Sequence, residues 1–116
     1  MKIVAGNITI MVKGMDSSIS FYQSIGLTLQ QRWANYYAQL TAPGIIIGLH
    51  PSNANTKAGT NDNVSIGFTT ENFEETESEL ASLKIKATSR QEEGGNFLHF
   101  NDPDGTALYF IKPKWG

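Results

Sequence analysis

Two stretches of this chain carry one apolar pattern, and that repetition limits its possible folds more than any other feature. Displaced by about fifty-eight positions, Asn7 to Leu29 falls on Ser65 to Ala87. Ile8 then meets Ile66, Ile10 meets Phe68, Met15 meets Phe73, Tyr22 meets Leu80, Ile25 meets Leu83 and Leu27 meets Ile85. A repeat of this length is one supersecondary unit used twice. Two such units predict a pseudo-symmetric sheet structure with a hollow between them, and hollows are where ligands usually sit.

The residues of each unit predict the same order of elements, β-α-β-β-β. In the first, Asn7 to Val12 alternates, with Ile8, Ile10 and Val12 on one side and Asn7, Thr9 and Met11 on the other. Asp16 is the expected N-cap of a helix running to Ile25, with Gly26 at the left-handed position beyond its end. Met15, Ser18, Phe21, Tyr22 and Ile25 give that helix its apolar stripe. Leu27 to Trp33, Tyr36 to Thr41 and Ile45 to His50 read as strands, punctuated by Asn35 and Pro43-Gly44. The polar run from Pro51 to Asn63 has no period and reads as a connection.

The second unit opens at Val64. Asn72-Phe73-Glu74-Glu75 has the form of a capping box ahead of a helix ending near Lys84, with Phe73, Thr76, Leu80 and Leu83 on its apolar face. Ile85 to Gln91, Asn96 to Asn101 and Thr106 to Lys112 complete the strands, and Asp102-Pro103-Asp104-Gly105 has the chemistry of a type I turn. The fold class is α+β with a mostly antiparallel sheet. At 116 residues the chain is one domain, with module one at 1–50, a linker at 51–63 and module two at 64–112.

Bulk properties exclude several functions. There is no cysteine, so disulfides, thiolate nucleophiles and Cys-zinc sites are out, which suits a reducing compartment. A net charge of −2 does not favour nucleic acid, which needs a basic face. No segment is long and apolar enough to span a membrane, and Asn7, Thr9 and Lys13 break the apolar start that a signal peptide would need. A soluble cytoplasmic protein is expected.

With these elements placed, the chain resembles the glyoxalase/bleomycin resistance protein/dioxygenase (vicinal oxygen chelate) superfamily. The resemblance rests on Asn7-Ile8-Thr9-Ile10-Met11-Val12, on Ser18-Ile19-Ser20-Phe21-Tyr22 with Ile25-Gly26-Leu27, on Ser65-Ile66-Gly67-Phe68 and on Asn101-Asp102-Pro103-Asp104-Gly105. It implies paired βαβββ modules curled into a cup, in proteins that are usually dimers. Many members hold a divalent metal there through His, Gln or Glu from the first and last strands of each module. Others, the bleomycin-binding resistance proteins, use no metal.

Carried over position by position, the resemblance puts the metal ligands at Asn7, Gly48, Ser65 and Tyr109. Divalent ions of this class want imidazole or carboxylate donors. Asn and Ser are poor ligands, Gly has no side chain and a phenol rarely serves. A one-residue shift does not help, because Ile8, Ile47, Leu49, Val64, Ile66, Leu108 and Phe110 are apolar. No metal and no other cofactor is expected.

His50 reads as a strand-end residue. His99, flanked by Leu98 and Phe100, points opposite to them, and lining a pocket or acting as a base are both open to it. Glu71, Glu74, Glu75, Glu77 and Glu79 read as a solvated helix face, and Asp102 and Asp104 as turn formers. No nucleophile elbow, Walker loop or dinucleotide fingerprint is present. Aromatic residues are the positive signal, since Trp and Tyr offer contact area with a polar handle.

The expectation is therefore a homodimer that binds a small apolar or aromatic molecule without metal. Its expected lining is Asn7, Thr9, Trp33, Tyr36, Gln39, Ser65, Gly67, His99 and Tyr109. Two rivals stand beside it. One is a lyase, isomerase or dioxygenase of the metal-using branch, for which fold analogy alone is no warrant. The other is a dimeric scaffold whose hollow is filled by its own side chains.

Overall fold

The computed structural model of the protein describes residues 1–53 and 64–114. The expected linker falls mostly outside the described residues. The chain forms two compact units, and each contains one copy of the repeat. The first comprises β1 (Ile8–Val12), α1 (Met15–Ser24), β2 (Thr28–Trp33), β3 (Tyr37–Ala42) and β4 (Ile45–Pro51). The second comprises β5 (Ser65–Phe68), α2 (Phe73–Ser82), β6 (Thr88–Glu92), β7 (Gly95–Asn101) and β8 (Ala107–Pro113). The β-α-β-β-β order expected from the repeat is what forms, twice.

Each unit has one four-stranded sheet, ordered β1-β4-β3-β2 in the first and β5-β8-β7-β6 in the second. The helix after the first strand carries the chain to the far edge, and two hairpins bring it back. The last strand therefore lies beside the first and parallel to it, while all other pairs are antiparallel.

Period-two alternation then sorts the side chains. In the first sheet Val12, Ala38, Leu40, Ile47 and Leu49 are buried on one side. Met15, Ser18, Ile19 and Tyr22 are the buried residues of α1, which packs across β2, β3 and β4. In the second, Ile66, Leu98, Phe100, Leu108 and Phe110 are buried, Phe110 lies 5.3 Å from Phe100 in a stacked pair, and α2 buries Thr76 and Leu80. Leu83, expected on that helix's apolar face, is 45% exposed because it is the C-cap, beyond the last full turn.

The helix ends explain where the strands begin. At α1, Leu27 N–H donates to Tyr22 C=O (3.0 Å) and Gly26 N–H to Gln23 C=O (3.1 Å), a Schellman closure with Gly26 at φ 115°. Leu27 is spent on this closure, so β2 starts at Thr28. The second unit repeats the arrangement with Ile85 N–H on Leu80 C=O (3.0 Å) and Lys84 N–H on Ala81 C=O (3.0 Å). Ile85 is spent in the same way, and β6 starts at Thr88 rather than at Ile85. Here the left-handed position is held by Lys84, at φ 60°.

At the other end of α1 the expected N-cap is corrected. Gly14 is the N-cap, with extended backbone and no side-chain hydrogen bond, and the helix begins at Met15. Met15 is buried, so the first turn is anchored by packing, and Asp16 falls within that turn, where its charge suits the helix dipole. At α2 the expected cap forms: Glu75 N–H donates to Asn72 Oδ1 at 3.0 Å. In the Asp102 turn, Asp102 Oδ1 accepts from Asp104 N–H (2.9 Å) and Thr106 N–H (2.8 Å), which satisfies a carboxylate that is only 5% exposed.

The two helix closures predict opposite responses to glycine chemistry. A left-handed conformation costs an L-residue about 1 kcal/mol. Lys84→Gly should raise the urea midpoint by an amount equivalent to up to about 1 kcal/mol, while Gly26→Ala should lower it by about as much. A lowered midpoint for Lys84→Gly would contradict this account.

A second prediction concerns Glu74, whose carboxylate accepts from Lys112 Nζ at 2.8 Å. That bond, chiefly, holds the Glu74 carboxyl below its ordinary range. A lowered folded-state pKa contributes stability that is complete above the unfolded carboxylate pKa and is lost as pH falls through the folded value. Both side chains are exposed, so salt should weaken the contribution. Glu74→Gln should lower the denaturation midpoint slightly at pH 7 in low salt and leave it unchanged in about 1 M NaCl or at pH 2.

Candidate functional site

The side of each sheet opposite its helix carries a group of polar and aromatic residues. In the first unit Thr9, Gly48 and Gln39 stand in register across β1, β4 and β3. Two residues along β3 from Gln39, Tyr37 is paired with Trp33 of β2, and their rings lie 5.6 Å apart at 35°. Asn7, just before β1, donates from Nδ2 to Thr9 Oγ1 (3.2 Å) and to the Tyr37 hydroxyl (3.4 Å). The Thr9 and Tyr37 hydroxyls are 3.5 Å apart.

Gly48 makes this grouping possible. A Cβ there would stand 2.8 Å from Thr9 Oγ1 and closer still to the Tyr37 hydroxyl. A glycine within a strand commonly marks such a close approach. The turn that presents Trp33 is tied down by Arg32. Its guanidinium bonds Ala34 C=O (2.7 Å), Asn35 Oδ1 (2.6 Å) and Asp16 of α1 (2.8 Å). Ala34 sits at φ 46°, a conformation rare for a residue with a Cβ. Beyond the strand end, an open hollow of about 440 Å³ is lined by residues that include Lys13, Gly14, Asp16, Asn35 and Pro51.

In the second unit Gly67, Tyr109 and His99 stand in register across β5, β8 and β7. The Tyr109 ring lies over Gly67, in the space a Cβ would take. Phe97, His99 and Tyr109 form a ring cluster with centroid separations of 5.6 to 5.9 Å, Phe97 and His99 being stacked at 15°. His99 Nε2 is buried and has no hydrogen-bond partner among the described residues.

Of the lining expected from sequence, Asn7, Thr9, Trp33 and Gln39 lie together on the open face of the first sheet. Ser65, Gly67, His99 and Tyr109 lie together on that of the second. Tyr36 is the exception. Its N–H donates to Trp33 C=O (2.8 Å), which closes the turn before β3 begins, and the residue is 77% exposed. Tyr37 occupies the place on the sheet instead. Phe97 was likewise not expected at the site. Alternation could have found both, since Tyr37 shares a face with Gln39, and Phe97 with His99. His50 is exposed, with Nδ1 2.9 Å from Pro51 C=O.

The four positions matched to the superfamily's metal ligands carry an amide, no side chain, a hydroxyl and a phenol. Asn7 is engaged with two hydroxyls, and the Tyr109 ring covers Gly67. Among the described residues no three His, Asp or Glu side chains gather where an ion could be held. This donor set does not fit a divalent ion.

Paired βαβββ units, each with a helix on one sheet face and an open face of rings, amides and hydroxyls, define the structural class. The chain belongs to the Glyoxalase/Bleomycin resistance protein/Dioxygenase superfamily, whose model matches residues 5–110. Among solved structures, it is similar to a bleomycin-binding protein complexed with bleomycin (TM-score 0.75, 18% identity, covering 97% of this chain and 100% of that one). It is also similar to a glyoxylase/bleomycin resistance protein/dioxygenase domain from Frankia sp. EAN1pec (TM-score 0.76, 20% identity, 98% and 100% covered). A third is the fosfomycin resistance protein of Listeria monocytogenes (TM-score 0.77, 17% identity, 96% and 93% covered). At these identities the likeness is one of fold. Comparison with curated proteins gives no match.

The overlap of Tyr109 with Gly67 is testable. Gly67→Ala should destabilise the wild-type background by about 1–3 kcal/mol, the usual cost of overpacking. In a Tyr109→Ala background the same change should cost close to nothing, which gives a coupling of similar size in a double-mutant cycle. Equal costs in the two backgrounds would show that the ring does not lie there.

Proposed function

We propose that this protein binds a small apolar or aromatic molecule, without a metal, against the open sheet faces. The observation that carries this reading is the Trp33–Tyr37 pair: Trp33 is 44% exposed, tilted against its neighbour and held by a pinned turn. An exposed indole on a rigid element offers large contact area at little entropic cost. Asn7, Thr9 and Gln39 beside it supply orientation. On the second sheet Ser65, Gly67, His99, Tyr109 and Phe97 extend the same chemistry. The donor set at the ligand positions supports metal independence, and the bleomycin-binding protein of similar fold is a precedent for binding a small molecule. A cytoplasmic homodimer is part of the proposal; it rests on the family resemblance, and the absence of cysteine is compatible with that compartment.

Several measurements test it together. In a thermal-shift screen of aromatic metabolites and drugs, a binder at about a hundred times its Kd should stabilise the fold by about 2.7 kcal/mol, a shift of about ten degrees. Trp33→Ala should weaken that binder about tenfold. Protein purified without chelator should carry no stoichiometric zinc, nickel, iron or manganese, and EDTA should not change its melting temperature. A stoichiometric metal would overturn metal independence; silence across a wide panel would overturn binding. Light scattering should give twice the chain mass.

A further inference from the structure

We infer that Asn7, Thr9 and Tyr37 form a neutral oxygen-recognition subsite, and that the ligand is an aromatic compound bearing a carbonyl oxygen. The inference rests on the binding reading above and names its chemistry. A count of protons carries it. Asn7 Nδ2, which can only donate, lies within hydrogen-bond reach of both hydroxyl oxygens, Thr9 Oγ1 at 3.2 Å and Tyr37 at 3.4 Å. Each hydroxyl keeps its own proton. The Thr9 and Tyr37 oxygens are 3.5 Å apart, so one proton can serve between them and the other is left without an acceptor in the cluster.

All three separations are at the long limit for hydrogen bonds, so the triangle is loose. An incoming oxygen with two lone pairs can take both hydroxyl protons and replace the weakest of the three contacts. Gly48 leaves room for this, because a Cβ there would crowd both hydroxyls. The groups are uncharged, and a hydroxyl proton without an acceptor among them suits a carbonyl oxygen. Tyr37 belongs to both features: its hydroxyl is in the triangle, and its ring is 5.6 Å from Trp33. The carbonyl oxygen and the aromatic ring of one planar molecule therefore meet adjacent groups.

The test uses acetophenone and ethylbenzene, a pair matched in shape that differs in the carbonyl oxygen. Each is titrated into ¹⁵N-labelled protein and followed by chemical shift. Acetophenone should bind about five- to tenfold tighter, the worth of a hydrogen bond to a neutral group, and should move the Asn7 side-chain amide resonance. Tyr37→Phe and Thr9→Val, both conservative in shape, should each reduce that preference towards parity. Equal binding of the two probes to the wild type, or a preference that survives both substitutions, overturns the subsite and leaves aromatic binding intact. Failure of both probes to bind counts against the binding reading itself, and the subsite falls with it.

Discussion

The pairing of the first strand of each unit with the last is the constraint on which the other features rest. With Ile10 opposite Leu49 and Thr9 opposite Gly48, the buried apolar residues of β1 and β4, Val12, Ile47 and Leu49, all fall on the α1 side. A slip of one position would expose that whole set and bury the polar one, because side chains alternate strictly along a strand. Burial of Ile47, Leu49 and Leu40 therefore fixes the register, and the register fixes which residues meet on the open side. The second unit obeys the same rule through Ile66 opposite Leu108 and Gly67 opposite Tyr109.

Much of this was legible in the chain. The repeat predicted the element order, and alternation predicted that His99 would face away from Leu98 and Phe100. What was not legible depended on backbone hydrogen bonds that leave a weak mark in sequence. Leu27 and Ile85 look like strand residues but close helices. Tyr36 looks like the first residue of a strand but closes a turn, and that single step decides that Tyr37 and not Tyr36 reaches the sheet face. Asp16 has the chemistry of a cap, yet burial of Met15 starts the helix earlier. Local propensity yields to packing in each of these cases.

The two units share their helix-side packing and differ on their open sides. In the first, a phenol from β3 reaches over a glycine on β4; in the second, a phenol from β8 lies over a glycine on β5. Thr9 and Gly67 are equivalent in the repeat, as are Gly48 and Tyr109, so bulk and void have changed places between the copies. The core tolerates this exchange because no side chain of the open face takes part in burying the helices. Superfamily membership thus settles the architecture, whereas the chemistry has to be argued from the residues on that face.

Arg32 joins the turn carrying the indole to the start of α1 by an ionic bond to Asp16, and holds the turn itself through two bonds to uncharged oxygens. These links differ in their sensitivity to dissolved ions. Electrolyte weakens the attraction to Asp16, whose carboxylate is largely in water, but scarcely affects the bonds to Ala34 and Asn35. The platform under Trp33 is thereby moored in two ways: one line slackens in brine, and the other keeps the loop's shape whatever the medium.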